Sequence, residues 1–337
     1  MRWMKFCARI AKRARLRYAA FLFLSWALTP SAFPQETTVR SQVNLVVIPA
    51  LVKDAQGGIV YGLQAKDFIV EDDGVELSAR LDEAPEGQPI SLVVVVQRGR
   101  RAYAEFPRMQ GLKTMLDPLF EQGTARVALV EFDSHIDLTR NFTRDGSLIH
   151  DDLMNLQAGD GGAVILDAVS YSVKLLQNEP DDRLRVLLLI SETRDHGSRQ
   201  KIDASVAAIG KSNVLMYALA FSPALSNILD TGRGTNKEEM QQSVNILDLA
   251  YRAAQAMRKN VPSAIASMTG GEYELFATKK KFDVRMNDFT NHLHSRYLLS
   301  IAPKEPHPGL HQIRVRLKDP GNASVLARNS YWAEGTK

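Results

Sequence analysis

Two uninterrupted apolar runs, Ile90-Ser-Leu-Val-Val-Val-Val96 and Leu184-Arg-Val-Leu-Leu-Leu-Ile190, constrain this chain more than anything else in it. A strand with one solvated face alternates apolar and polar residues, whereas runs of this kind are buried on both faces. Such burial calls for helices above and below, the arrangement of a parallel α/β sheet. The intervening stretches meet that demand. Arg126–Phe132 and Val214–Phe221 read as further strands, and Ile136–Thr139 as one antiparallel to the 126–132 strand. Helical spacing of apolar residues predicts helices over Phe106–Phe120, Ser147–Leu156, Val164–Leu176, Ile202–Gly210 and Phe282–His294. Pro262–Met268 reads as a short helix closed by Thr269-Gly-Gly271, the composition of a helix C-terminus. The alternation predicts a doubly wound, mostly parallel sheet with helices on both faces.

The flanks read differently. Val43–Val52 and Phe68–Glu71 have strand composition, Asp72-Asp-Gly74 suits a hairpin turn, and Val75–Leu81 is the expected return. Three more strands are expected at Arg296–Ile301, His311–Leu317 and Val325–Tyr331. Ser222–Asn260 interrupts the α/β rhythm, loop-like around Asp230–Asn236 and helical over Glu238–Lys259.

Charge is unevenly placed. Residues 1–32 hold seven of the 42 basic side chains and no acidic one, so the rest of the chain carries 35 against 38. Bulk charge therefore gives no support for nucleic-acid binding. The basic stretch leads into an eleven-residue apolar run, Tyr18–Leu28, and then into small residues, the pattern of a secretory signal peptide. Export to the periplasm or beyond is the expectation, with an uncleaved signal anchor as the alternative and no other membrane contact. The single cysteine, Cys7, precedes that run, so the mature chain would have no disulfide, thiolate metal site or cysteine nucleophile.

Three stretches together resemble the bacterial VWFA-related family of exported von Willebrand factor A-type (VWA) proteins. They are Val43–Leu81 with its Glu71-Asp-Asp-Gly74 phrase, the core from Ile90 to Gly271 including Gly161–Ala168 and Ser267–Gly271, and Ser295–Pro303 with His311–Arg316 and Ala327–Tyr331. The resemblance covers Val43 to Trp332. With the signal peptide expected over 1–33, it implies an N-terminal β segment over 34–86, a VWA-like domain over 87–295 with an insertion at about 222–260, and a C-terminal β segment over 296–337. The two β segments are expected to pack together as a small β module.

VWA domains typically hold a divalent cation in a motif called MIDAS: Asp-x-Ser-x-Ser after the first strand, then a distant Thr and a distant Asp. Hydroxyl and carboxylate oxygens suit hard cations, and an open coordination position accepts a partner's carboxylate. Laid on this chain, those positions read Gln97, Gly99, Arg101, Ala163 and Glu192. A single carboxylate, with Arg98, Arg100 and Arg101 close in sequence, makes a poor site for a hard dication. The resemblance thus implies an interaction module with neither metal nor cofactor. Its binding loops would carry Gln97, Arg98, Gly99, Arg100, Arg101, Ala163 and Glu192. Arg101 would stand in for the cation, paired with Glu192 or offered to an acidic side chain of a protein partner; alternatively the three arginines are a solvated loop.

No phosphate loop, nucleophile elbow or His-Glu-x-x-His occurs. A non-enzymatic protein is therefore expected; the competing enzymatic reading is a hydrolase using Asp133, His135 or Glu192. Another alternative is a structural or assembly component of the cell envelope that binds through the β module or the 222–260 insertion. His292 and His294, two apart on a helix, do not share a face and read as surface residues. His307 and His311 could meet in the turn around Pro308-Gly309, but no third ligand is evident in the sequence.

Overall fold

The computed structural model describes residues 45–82, 88–221, 246–304 and 306–334, with backbone alone at 100, 101 and 246–248. The expected signal peptide, the loop-like half of the insertion and the side chains of Arg100 and Arg101 lie outside the described residues.

Four strands open the described chain: β1 (Val46–Lys53), β2 (Phe68–Asp72), β3 (Val75–Leu77) and β4 (Arg80–Asp82). Six form a central sheet: β5 (Ile90–Gln97), β6 (Arg126–Phe132), β7 (Ile136–Thr143), β8 (Leu184–Ser191), β9 (Val214–Phe221) and β10 (Tyr273–Phe276). Four more follow: β11 (Tyr297–Ile301), β12 (Gly309–Leu317), β13 (Ser324–Ala327) and β14 (Ser330–Ala333). The described helices are α1 (Arg100–Tyr103), α2 (Leu112–Met115), α3 (Asp117–Glu121), α4 (Gly146–Met154), α5 (Ile165–Gln177), α6 (Ile202–Lys211), α7 (Ile246–Lys259), α8 (Val261–Thr269) and α9 (Lys279–Leu293). None of them is long and apolar enough to cross a membrane.

The central sheet has the order β7-β6-β5-β8-β9-β10, parallel throughout except that β7 runs antiparallel to β6. Alternate residues of each buried strand serve opposite faces. Val93, Val95, Leu187, Leu189, Met216 and Ala218 pack under α5, α6 and α8. Leu92, Val94, Val96, Leu188 and Leu215 pack under α4 and α9 and the turns between β5 and β6. This is the doubly wound α/β sheet that the apolar runs require. The strand order reverses between β5 and β8, where folds of this architecture open a crevice at the carboxyl ends of the strands.

The span 106–120 is not one helix. It breaks into a 3-10 turn (Phe106–Arg108), α2 and α3. Pro107 and Pro118 lack the amide hydrogen that a continuous helix needs at those positions. Met109, Leu112, Leu116 and Leu119 are nonetheless buried, as their spacing demanded.

The remaining strands form two antiparallel four-stranded sheets, β13-β1-β11-β4 and β14-β12-β2-β3. Each mixes strands from the two ends of the chain, and they share one core built on Ile48, Val52, Phe68, Val70, Leu299 and Ile313. Neither Val75–Leu81 nor Val325–Tyr331 is the single strand expected. In both stretches the chain leaves one sheet and enters the other, at Ser78-Ala79 and at Arg328-Asn329. Arg328 explains the second crossing. Buried, it donates to the carbonyls of Ser330 (3.0 Å), Val47 (3.3 Å), Gly210 (3.3 Å) and Ser212 (3.4 Å). Burial brings its pKa down to about 10, so it stays charged at neutral pH, set against the C-terminus of α6 where the helix dipole favours a cation.

Candidate functional site

The crevice between β5 and β8 is closed by two side chains. Gln97, the last residue of β5, donates from Nε2 to Glu192 Oε1 at 3.1 Å, and its Oε1 accepts from the Glu192 backbone N at 2.9 Å. Both residues are buried. The Gln97 amide thus engages one carboxylate oxygen and the backbone N–H of Glu192, where a cation would need free oxygens. Deleting the amide in Gln97→Ala is expected to cost about 2 kcal/mol, because two buried hydrogen bonds go and a buried carboxylate loses a donor. Chemical denaturation reads that loss.

The neighbouring loops are knitted over this pair. Gly99 precedes α1 so tightly that a Cβ there would stand 2.7 Å from the Gly162 carbonyl oxygen and 3.1 Å from that of Asp160. A serine, the VWA-type residue at this position, therefore has no room without movement of the 160–162 loop. Ala163 is buried and exchanges backbone hydrogen bonds with His196 (3.2 and 2.8 Å). The residues present do not fit a hard dication: amide, bare backbone, methyl and one engaged carboxylate replace the oxygen set.

Gln97, Gly99, Ala163 and Glu192 are thus brought to one crest, beneath its surface. Arg98 turns away from them. Its guanidinium donates to Asp133 at 3.0 Å and to Asp137, and lies 3.6 Å from Glu131. Burial opposes its charge, but the Asp133, Asp137 and Glu131 carboxylates outweigh that and raise its pKa. Arg98 is not a solvated loop residue.

Asp133, Ser134, His135 and Asp160 also meet at this crest, a grouping with the composition of a hydrolytic site. Ser134 Oγ lies 3.0 Å from His135 Nδ1, and the remaining hydrogen bonds tie the loop together. Asp133 accepts from His135 N (2.8 Å), Asp160 N (3.3 Å) and Arg98, which together overcome burial and lower its pKa. Ser134 gives its hydroxyl proton to Asp160, which also accepts from the amides of Ser134 and Gly162. The Asp133 carboxylate is 3.8 Å from the His135 ring, too far to orient it, and that ring is 81% exposed.

One histidine departs from the sequence reading, while His294 is exposed as expected. His292 is buried rather than on the surface, its Nδ1 2.8 Å from Glu272 Oε1. Helical spacing spoke only to whether His292 and His294 share a face; what packs on each face is a tertiary matter. His307 and His311 do meet, with ring centroids 3.9 Å apart, and Asp73 supplies the third group that the sequence did not reveal. Asp73 sits in the β2–β3 turn, and the pairing of β2 with β12 carries it across more than 230 residues of chain.

No model of a known protein family matches this chain, and no curated protein matches it in sequence. Several solved structures are similar to it. One is the vWF domain of the type V pili tip protein Mfa5 from Porphyromonas gingivalis, 14% identical, covering 32% of this chain and 38% of that one with a TM-score of 0.29. Another is the PilB minor pilin from Streptococcus sanguinis, 13% identical, covering 64% of this chain and 63% of that one with a TM-score of 0.44. A third is the conserved hypothetical protein BatB from Bacteroides thetaiotaomicron, 11% identical, covering 60% of this chain and 98% of that one with a TM-score of 0.38. The chain spans less than two thirds of the length of the Mfa5 domain and of the pilin.

Proposed function

We propose that this chain is an exported, non-enzymatic interaction module of the VWA type that engages a protein partner at the crest of its central sheet without a metal ion there. The reciprocal hydrogen bonds of Gln97 and Glu192 carry this reading, since they fill the switch point with the protein's own groups. Buried Gln97, Gly99, Ala163 and Glu192 then act by shaping the loops above them. Arg100 and Arg101, in the α1 turn over those residues, are the groups proposed to meet an acidic side chain of the partner.

Two measurements test it. Adding Mg²⁺ or Ca²⁺ at millimolar concentration is expected to leave the melting temperature unchanged, whereas a cation bound to the folded state alone raises it. Capture of partners from cell-envelope extracts is expected to fail with Arg101→Glu and to survive deletion of residues 226–245, which spares α7 and its buried Ala254 and Met257. The opposite pattern would move the contact to the insertion and favour an assembly component of the envelope. That second reading draws support from Tyr251, 63% exposed on α7 at the described end of the insertion.

A further inference from the structure

Asp73, His307 and His311 stand at the turn end of the β2–β3 hairpin, in the β module and apart from the crest. Asp73 Oδ2 is 2.8 Å from His311 Nδ1 and 3.3 Å from His307 Nε2, and the three ligand atoms lie within 4.8 Å of one another. In a tetrahedral site with bonds of about 2.0–2.1 Å, ligand atoms stand about 3.3 Å apart. The Asp73–His307 separation matches that spacing, and the Asp73–His311 pair is about 0.5 Å closer.

The far side of each inner ligand is already held. Asp73 Oδ1 accepts from the backbone N of Gln312 at 2.8 Å. His311 Nε2 is 2.7 Å from the carbonyl oxygen of His307. A carbonyl only accepts, so Nε2 carries the ring hydrogen, and in the neutral imidazole Nδ1 presents a bare lone pair. A ring hydrogen on a backbone carbonyl is the outer-shell arrangement of metal-ligating histidines. Here the nitrogen faces a carboxylate oxygen at 2.8 Å, an arrangement that calls for positive charge between them, a proton on Nδ1 or a metal ion.

A second observation points the same way. The His311 side chain is 3% exposed, yet its Nδ1 makes no hydrogen bond of acceptable geometry. Asp72 Oδ1, 3.7 Å from that nitrogen, is also buried and without a hydrogen bond, while the other Asp72 oxygen accepts from the Tyr331 hydroxyl at 3.0 Å. Two buried polar atoms left over at one place mark something missing between them.

We propose that Asp73, His307 and His311 bind a first-row divalent transition-metal ion of the zinc type, which clasps the N-terminal hairpin to the C-terminal strand β12. Two imidazoles and a carboxylate select Zn²⁺ and its neighbours over Mg²⁺ or Ca²⁺, which prefer all-oxygen sites. The three protein ligands leave one position open. A water there would have Asp72 Oδ1 as its acceptor, which accounts for that oxygen. The proposal rests on the β module alone and stands or falls independently of the function assigned to the crest.

Calorimetric titration of the chelator-treated full chain with Zn²⁺ tests it, with Mg²⁺ as the control. One Zn²⁺ per chain is expected, with no saturable Mg²⁺ binding. His307→Ala is chosen because this side chain is partly exposed and its loss spares the core. It is expected to weaken Zn²⁺ binding at least tenfold, and so is Asp73→Asn, which keeps the shape of the turn. His135→Ala at the crest is expected to change nothing. Absence of stoichiometric Zn²⁺ binding overturns the proposal, as does affinity that survives both clasp variants or falls in His135→Ala instead. Circular dichroism of each variant separates a lost ligand from a lost fold; should His307→Ala unfold, the Asp73→Asn titration decides.

Discussion

Replacing Glu272 with glutamine is expected to cost about 3 kcal/mol of folding stability near pH 7 and almost nothing near pH 2. Glu272 lies between Gly271 and β10, where the central sheet meets the β module. Its carboxylate accepts from Lys53 on β1 at 3.0 Å and from His292 on α9 at 2.8 Å, with Arg296 at 3.5 Å. Arg296 in turn donates to the Tyr217 hydroxyl on β9 (2.9 Å) and to the Gly270 carbonyl (2.6 Å). Burial alone would raise the Glu272 pKa. The His292 hydrogen bond and the nearby charges of Lys53 and Arg296 overturn that and bring it down to about 2 from 4.5.

A carboxyl with a lower pKa in the folded chain takes up its proton first in the unfolded one. The stabilisation is therefore complete above about pH 5 and drains away as the pH falls through 4.5 towards 2. At pH 3 roughly 2 of the 3 kcal/mol should already be gone in the wild type. Urea unfolding at pH 7, 5 and 3 checks this: the gap between wild type and Glu272→Gln should close as the pH falls. A gap independent of pH would mean that the loss comes from packing and that the charge network contributes little.

The central sheet was legible because its strands are continuous apolar runs, a pattern that solvent-facing structure does not produce. Val214–Phe221 could be bounded to the residue for the same reason. The β module was legible only as composition. Val75–Leu81 and Val325–Tyr331 keep strand-like residues through the points where the chain changes sheets, so nothing local marks the crossing. What makes the second crossing is Arg328, whose acceptors at Val47, Gly210 and Ser212 lie far away in sequence. At the crest, the family resemblance grouped Gln97, Gly99, Ala163 and Glu192, and the order of strand ends in the parallel sheet is what brings them together. The bond between Gln97 and Glu192 was not foreseen, since the reading paired Glu192 with Arg101. Asp73 escaped for the reason that hid the crossings: its partners are set by the pairing of β2 with β12, not by neighbours in the chain.

Gly271→Ala is expected to be the most damaging single methyl added to this protein, costing about 4 kcal/mol or more, a large part of the roughly 5–15 kcal/mol by which folded domains are typically stable. The Thr269-Gly270-Gly271 phrase reads from sequence as a helix end, and it is one: Gly270 caps α8 at φ 81°, a left-handed conformation that side chains resist. The second glycine has a different job. A Cβ on Gly271 would collide with the carbonyl group of Met216, its carbon only 2.6 Å away. Met216 cannot retreat, because β9 is an inner strand paired on both sides. Its amide is also bonded to the Thr269 hydroxyl at 3.0 Å, and two residues on Ala218 N donates to the Glu272 carbonyl at 2.8 Å. The α8 end, β9 and the Glu272 network are therefore locked within one residue's reach, with no flexible side chain to absorb the methyl. Gly57→Ala provides the contrast. Its φ of 85° is left-handed, as that of Gly270 is and that of Gly271 is not, but it has open space around it, and the change should cost only about 1 kcal/mol. Thermal melts of the two variants side by side decide the matter: if Gly271→Ala melts within a few degrees of Gly57→Ala, the close approach to Met216 is not what the second glycine is for.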